Sequence, residues 1–213
     1  MIDNKKTYLI DLDNCLYHSK DVPVLINTLE DRITKWISIK FGCCLDEAEM
    51  LKVKLYKKFG GAPRCFIRSS IIKNQKDLAD CVNYIHAFKV CGVKENPKLR
   101  QRLIGLEKNL CLFTSSHVKY AKQVLTSLGI LDLFSNLIDI SKVGYSFKDK
   151  EYAYIKVFRI LNIDPSETVM VDDSLEDLLV ANRAGINTCV WVNHGEEKQH
   201  PSFVRPIFNI LEL

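Results

Sequence analysis

No two of the eight cysteines stand at the C-x-x-C spacing of a zinc or redox site, and Cys43 and Cys44 are neighbours that no ordinary disulfide geometry bridges. Reduced thiols, mostly buried, are the expectation. The opening Met1-Ile2-Asp3-Asn4-Lys5-Lys6 lacks the apolar stretch of a secretory leader, and nowhere does the chain approach the roughly 20 apolar residues of a membrane span. Internal repeats and low-complexity tracts are absent too. The 30 Lys and Arg are interspersed with 26 Asp and Glu, so the formal charge of +4 makes a solvated surface rather than a nucleic-acid stripe. A cytoplasmic protein that partners neither a membrane nor a nucleic-acid polymer is expected; its oligomeric state stays open. With 213 residues the chain can bury roughly 70% of the surface its unfolded form exposes, enough for one sizeable core plus an insertion.

What the chain does contain is a short apolar run that ends in acids: Thr7-Tyr8-Leu9-Ile10-Asp11-Leu12-Asp13-Asn14-Cys15. Tyr, Leu and Ile bounded by polar residues read as a buried strand, and side chains two apart on a straight strand share a face. Ionised carboxylates about 4 Å apart repel by roughly 4 kcal/mol at an effective dielectric of about 20. Asp11 and Asp13 therefore call for a cation, a shared proton or a bend that separates them.

Five β-rich apolar runs recur, at Tyr8–Leu12, Leu110–Thr114, Leu137–Ile140, Thr168–Val171 and Thr188–Val192. Helical periodicity separates the later ones, over Val118–Leu128, Lys150–Leu161 and Leu175–Ala184. This alternation predicts an α/β fold, a Rossmann-like and mostly parallel sheet with helices on both faces. Between the first two runs lie about 90 residues without a convincing strand, far beyond an ordinary βα connection. Helical spacing at Val24–Phe41, Asp46–Phe59 and Asn74–Phe88, broken at Gly60-Gly61-Ala62-Pro63, predicts a helical cap inserted after the first strand. The expected division is a core of residues 1–17 and 97–213 and a cap of residues 18–96.

In open parallel sheets ligands bind outside the carboxyl ends of the strands, where Asp11, Thr114 and Asp172 are expected. Val169-Met170-Val171-Asp172-Asp173-Ser174 is a second buried run ending in acids. Ser174 and Asp177 have the spacing of a capping box, which accounts for Asp177 and not for Asp172. Two strands delivering acids to one edge suit a hard, oxygen-ligated cation such as magnesium. Thr114-Ser115-Ser116 ends a third run in hydroxyls, which serve either as a helix cap or as donors to an anionic oxygen. A carboxylate and phosphate site also needs a fixed cation, and Lys148 stands in a loop just before a helix. His117 reads as a helix-surface histidine, with a place facing the mouth of the site as the alternative.

The order Asp11-x-Asp13, a hydrophobic run ending in Thr114, Lys148, then Asp172-Asp173 resembles the four motifs of the haloacid dehalogenase-like phosphohydrolases, over nearly the whole chain. Asp11-Leu12-Asp13-Asn14-Cys15-Leu16-Tyr17 further resembles the opening motif of the pyrimidine 5'-nucleotidase branch, as Leu55–Gly60 and Tyr84-Ile85-His86 resemble that branch's cap landmarks. Two positions depart from the branch: Ser115 stands where Asn is usual, and Asp149 where Pro is usual. With Asp149 there, Lys150 is the alternative to Lys148. The resemblance implies a magnesium-dependent phosphatase that works through an aspartyl-phosphate. Asp11 would be the nucleophile and Asp13 the acid and base. Magnesium would be held by Asp11, the backbone carbonyl of Asp13 and Asp172, with Asp173 in support. Thr114 and Ser115 would hold phosphate oxygens, and Lys148 would neutralise charge. Tyr56, Arg64, Arg68 and His86 are the cap side chains able to select the substrate. That substrate is expected to be a small phosphomonoester, a pyrimidine nucleoside 5'-monophosphate such as UMP or CMP. The alternatives are a lysophospholipid or sugar phosphate, or a regulatory protein that keeps the fold without turnover.

Overall fold

The computed structural model describes residues 6–106 and 108–213; residues 1–5, the start of the expected core, lie outside it. The described residues form two compact units, one of residues 6–22 with 93–213, residue 107 aside, and one of residues 23–92. The first contains a six-stranded parallel sheet: β1 (Thr7–Ile10), β2 (Asn109–Phe113), β3 (Phe134–Ile138), β4 (Thr168–Asp172), β5 (Thr188–Val192) and β6 (Val204–Ile207), in the order β3-β2-β1-β4-β5-β6. The chain runs outward from β1 through β2 to β3, then crosses to β4 on the other side of β1. Strand order therefore reverses at β1, where the first acids lie.

Register aligns Leu9 with Cys111 and Met170, and Met170 with Cys189. This row is buried together with Tyr154 and Val157 of α7 (Glu151–Leu161) and with Leu178 and Ala181 of α8 (Leu175–Arg183). The next row, Ile10, Leu112, Val171 and Val190, points to the opposite face and is equally buried. Both faces being covered explains why these strands read as continuous apolar runs. The remaining helices of this unit, α5 (Pro97–Ile104) and α6 (Val118–Ser127), begin at Asn96 and His117, whose side chains accept from the backbone N–H groups of Leu99 and Lys119.

Sequence periodicity predicts five strands, and the described residues form six. β3 and β6 are the two edges, and each exposes two residues, Ser135 and Asn136 in one, Arg205 and Pro206 in the other. Edge strands carry polar residues and proline because half their backbone is unpaired, so the apolar signal fails there. β3 accordingly begins at Phe134 rather than Leu137. β1 ends at Ile10 rather than Leu12, because the chain turns at residues 13–16 with Asn14 left-handed at φ 58°.

The second unit is helical: α1 (Pro23–Phe41), α2 (Leu45–Phe59), α3 (Arg64–Arg68) and α4 (Gln75–His86). Trp36 of α1 packs on Phe66 of α3 with ring centroids 4.7 Å apart, and buried Lys52 is paired with Glu30 and Glu49. Among the described residues no helix is long and apolar enough to cross a membrane.

Candidate active site

Asp11 directly follows β1 and is tied to β4 by its own N–H, which donates to the carbonyl of Val171 at 2.9 Å. Asp172 is the last residue of β4, so parallel pairing of the two strands brings both acids to one edge of the sheet. Lys148 enters from the loop between β3 and α7, where buried Phe147 anchors the turn. Its ammonium donates to Asp11 Oδ1 and to Asp172 Oδ2, each at 2.6 Å, and lies 5.7 Å from the centre of the Phe113 ring. Lys150 is exposed and sits at the N-terminus of α7, so Lys148 is the lysine placed among the acids.

Oxygens of Asp11, Asp172 and Asp173 lie within 4.8 Å of one another. Asp172 Oδ1 also accepts the Ser174 N–H at 2.9 Å, and Asp173 Oδ2 accepts from Asn14 Nδ2 at 2.8 Å. Burial raises Asp11 to about 7 against the pull of Lys148, with Asp173 and Asp13 adding repulsion. Asp172 is raised to about 7 by the same burial, again opposed by Lys148. Asp173 reaches about 7 through burial and the charge of Asp172. Burial pulls Lys148 the other way, but Asp11 and Asp172 together hold its ammonium well above the ordinary lysine range. Three carboxylates against one ammonium leave a formal charge of −2 in a buried place. An all-oxygen, doubly negative set fits a hard divalent cation.

β1 has ended before Asp13, so strand alternation no longer sets the direction of its side chain. Its carboxylate is turned to hydroxyls: Oδ1 accepts from Tyr17 at 2.5 Å and Tyr120 at 2.8 Å, and Oδ2 accepts from Ser116 at 2.6 Å. Burial and the charge of Asp13 push both phenols well above their ordinary range, so they stay protonated and donate. Sequence reasoning quoted Asn14 and Tyr17 only within the opening motif, with no role for either; it noted Ser116 only as part of a hydroxyl run and missed Tyr120. Tyr17 stands one turn after Asp13, which is a local signal; Tyr120 has none, since α6 brings it there through the fold.

Thr114 is buried directly after β2, its N–H donating to Ile138 and its Oγ1 accepting the Ser116 N–H at 3.0 Å. Ser115 is half-buried in the same turn. Ser174 caps α8 by accepting the Asp177 N–H, the capping part of the predicted box, and His117, half-exposed, caps α6 by accepting the Lys119 N–H. The four residues expected to select substrate belong to the helical unit. There, the Tyr56 hydroxyl donates to Glu30 at 3.5 Å, and His86 is buried with Nδ1 at 2.9 Å from the Val82 carbonyl of its own helix. Arg64 opens α3 half-buried, and Arg68 closes it, exposed and donating to the Phe59 carbonyl at 3.4 Å.

A parallel sheet whose carboxyl edge gathers acids around one lysine defines an α/β protein with a buried carboxylate centre. Residues 5–185 match the family model of the haloacid dehalogenase-like hydrolases, and the chain belongs to that family. Among its relatives, Phosphate metabolism protein 8 of Saccharomyces cerevisiae is 29% identical over 146 residues, 62% of this chain and 43% of the relative. Validoxylamine A 7'-phosphate phosphatase of Streptomyces hygroscopicus subsp. limoneus is 34% identical over 100 residues, 47% of this chain and 45% of the relative. The chain thus spans less than half the length of each. The crystal structure of a phosphatase of this family from Thermococcus onnurineus shares the fold, with a TM-score of 0.64 at 22% identity over 97% of this chain and 95% of the other.

Proposed function

We propose that this protein is a magnesium-dependent phosphomonoesterase that hydrolyses a small phosphorylated metabolite through an aspartyl-phosphate. The observation that carries this reading is the 2.6 Å contact of Lys148 with both Asp11 and Asp172, with Asp173 beside them. The name of the Streptomyces relative, a phosphatase of a 7'-phosphate, supports it. Magnesium, when held by Asp11, Asp172 and Asp173 with the Asp13 carbonyl, would supply positive charge against the phosphate oxygens.

The chain's own residues then divide the work. Asp11 attacks phosphorus; the ester P–O bond breaks, its electron pair stays on the ester oxygen, and that oxygen takes the proton of Asp13 to leave as an alcohol. In the second half Asp13, now a carboxylate, takes a proton from water as the water oxygen bonds to phosphorus. Phosphate leaves, and Asp11 returns as a carboxylate. Thr114, whose oxygen already accepts from Ser116, has its hydroxyl hydrogen left to donate to a phosphate oxygen, and Ser115 adds its N–H. Lys148 holds Asp11 in place and offsets charge. The helical unit serves as a cap in which Tyr56, Arg64 and His86 select the substrate.

Within this reading the substrate is a pyrimidine nucleoside 5'-monophosphate, UMP or CMP, supported by the opening motif through Tyr17. The test is phosphate release across nucleotides, sugar phosphates and lysophospholipids with magnesium present. Release from UMP and CMP above all others is expected, and chelation should stop it. Preference for a sugar phosphate overturns the substrate. No release from any ester, or full activity in excess chelator, overturns the chemistry.

A further inference from the structure

Asp13 receives three hydroxyl donors within 2.8 Å, from Tyr17 in the turn after β1, Ser116 in the turn after β2 and Tyr120 on α6, all in one compact unit. Tyr120 is fully buried, Tyr17 and Ser116 nearly so, and the two phenol oxygens are 3.2 Å apart. Two stretches of chain supply the donors, the turn after β1 and the segment that runs from β2 into α6, and both carboxylate oxygens are engaged. A surface aspartate needs no such surroundings. Every donor among these three is also a hydroxyl, which can accept as well as donate, unlike an N–H group. A carboxylic acid and a carboxylate can therefore occupy the same place without leaving a buried group unpaired.

We propose that Tyr17, Tyr120 and Ser116 are positioning residues that aim Asp13 at the ester oxygen, an arrangement that matters most where the leaving alcohol needs a proton. The inference rests on the reading of Asp13 as acid and base. During P–O cleavage the Asp13 proton passes to the departing alkoxide, and the three hydroxyls hold the resulting carboxylate. Aryl phosphates, whose phenolate leaves unaided, draw little on this arrangement. Misplacing a catalytic group by about 1 Å costs on the order of 100-fold, so the loss should fall on alkyl esters.

The experiment measures kcat/KM, which reports steps up to alcohol release, for p-nitrophenyl phosphate and for the best alkyl phosphate of the substrate screen. The variants are Tyr17→Phe, Tyr120→Phe and Ser116→Ala, each deleting one hydroxyl, with thermal melting as the check on folding. The ratio of alkyl to aryl kcat/KM is expected to fall by about 10-fold or more in both tyrosine variants, and by less in Ser116→Ala. Equal losses on both esters in every variant that folds would overturn the positioning role. A wild-type protein that hydrolyses p-nitrophenyl phosphate but no alkyl ester would overturn the positioning role, since no ester would then draw on the Asp13 proton. Asp13→Asn separates this inference from its foundation. If that variant leaves the ratio unchanged, Asp13 is not the acid; if it lowers the ratio and the tyrosine variants do not, only the positioning proposal fails.

Discussion

Lys148 Nζ stands 2.6 Å from Asp11 Oδ1 although 137 positions separate them in the chain. The same nitrogen is 2.6 Å from Asp172 Oδ2, so one ammonium joins the ends of β1 and β4. Removing either acid leaves this cation half-compensated in a buried place, and removing the cation leaves two acids facing each other.

Asp11→Asn keeps the shape of the side chain and removes its nucleophilic oxygen. Phosphate release from every substrate is expected to fall by at least about 1,000-fold while the melting curve shows an intact fold. Turnover at the wild-type rate would refute the nucleophile.

Lys148→Met should destabilise the metal-free protein, because it strands buried carboxylates; the expected cost is about 3–5 kcal/mol at pH 8. At pH 5 the acids take up protons instead, and the loss shrinks. Urea denaturation in chelator at the two pH values checks this, and an equal loss at both would contradict it.

Asp11, Asp172 and Asp173 sit at about 7 in the folded protein against an ordinary 3.8. The folded state thus binds these protons more tightly than the unfolded one. Their stabilising contribution is present below about pH 4 and is lost as pH rises through about 7. A divalent cation must displace the same protons, so its effect runs the opposite way. Added magnesium should raise the melting temperature more at pH 8 than at pH 5.5; an equal shift at both would remove these acids as the binding set.

Asn14 is left-handed, donates to Asp173 at 2.8 Å, and accepts on Oδ1 from the Ser19 N–H at 3.1 Å. Its backbone carbonyl accepts from His194 Nε2 at 2.6 Å. Asn14→Gly keeps that backbone conformation and deletes the carboxamide. Magnesium affinity, read by calorimetry, is expected to fall about 10-fold as Asp173 loses its partner. Asn14→Ala should bind as weakly and also lose about 1 kcal/mol of stability from the strained backbone. Unchanged affinity in Asn14→Gly would show that Asp173 is oriented without Asn14.

The alternation of strands and helices and the acids closing two strands were legible because a sheet buried on both faces demands unbroken apolar runs. The edge strands were not, since Ser135, Asn136, Arg205 and Pro206 follow the chemistry of an unpaired edge. Lys148 was visible only as a lysine in the right order. Lys150, two positions on, has the same charge, and only the fold shows that Lys148 is the buried one.

By itself the order of residues determined the fold class, the two acidic strand ends and the family, because these depend on local pattern: apolar runs, their period, and the residue types that end them. The surroundings of Asp13 were decided only by tertiary structure. Tyr17 and Tyr120 lie 103 positions apart and meet one carboxylate because β1 and β2 pair in parallel and α6 follows β2. A hydrogen bond across such a span is a property of packing, and no short-range pattern encodes it.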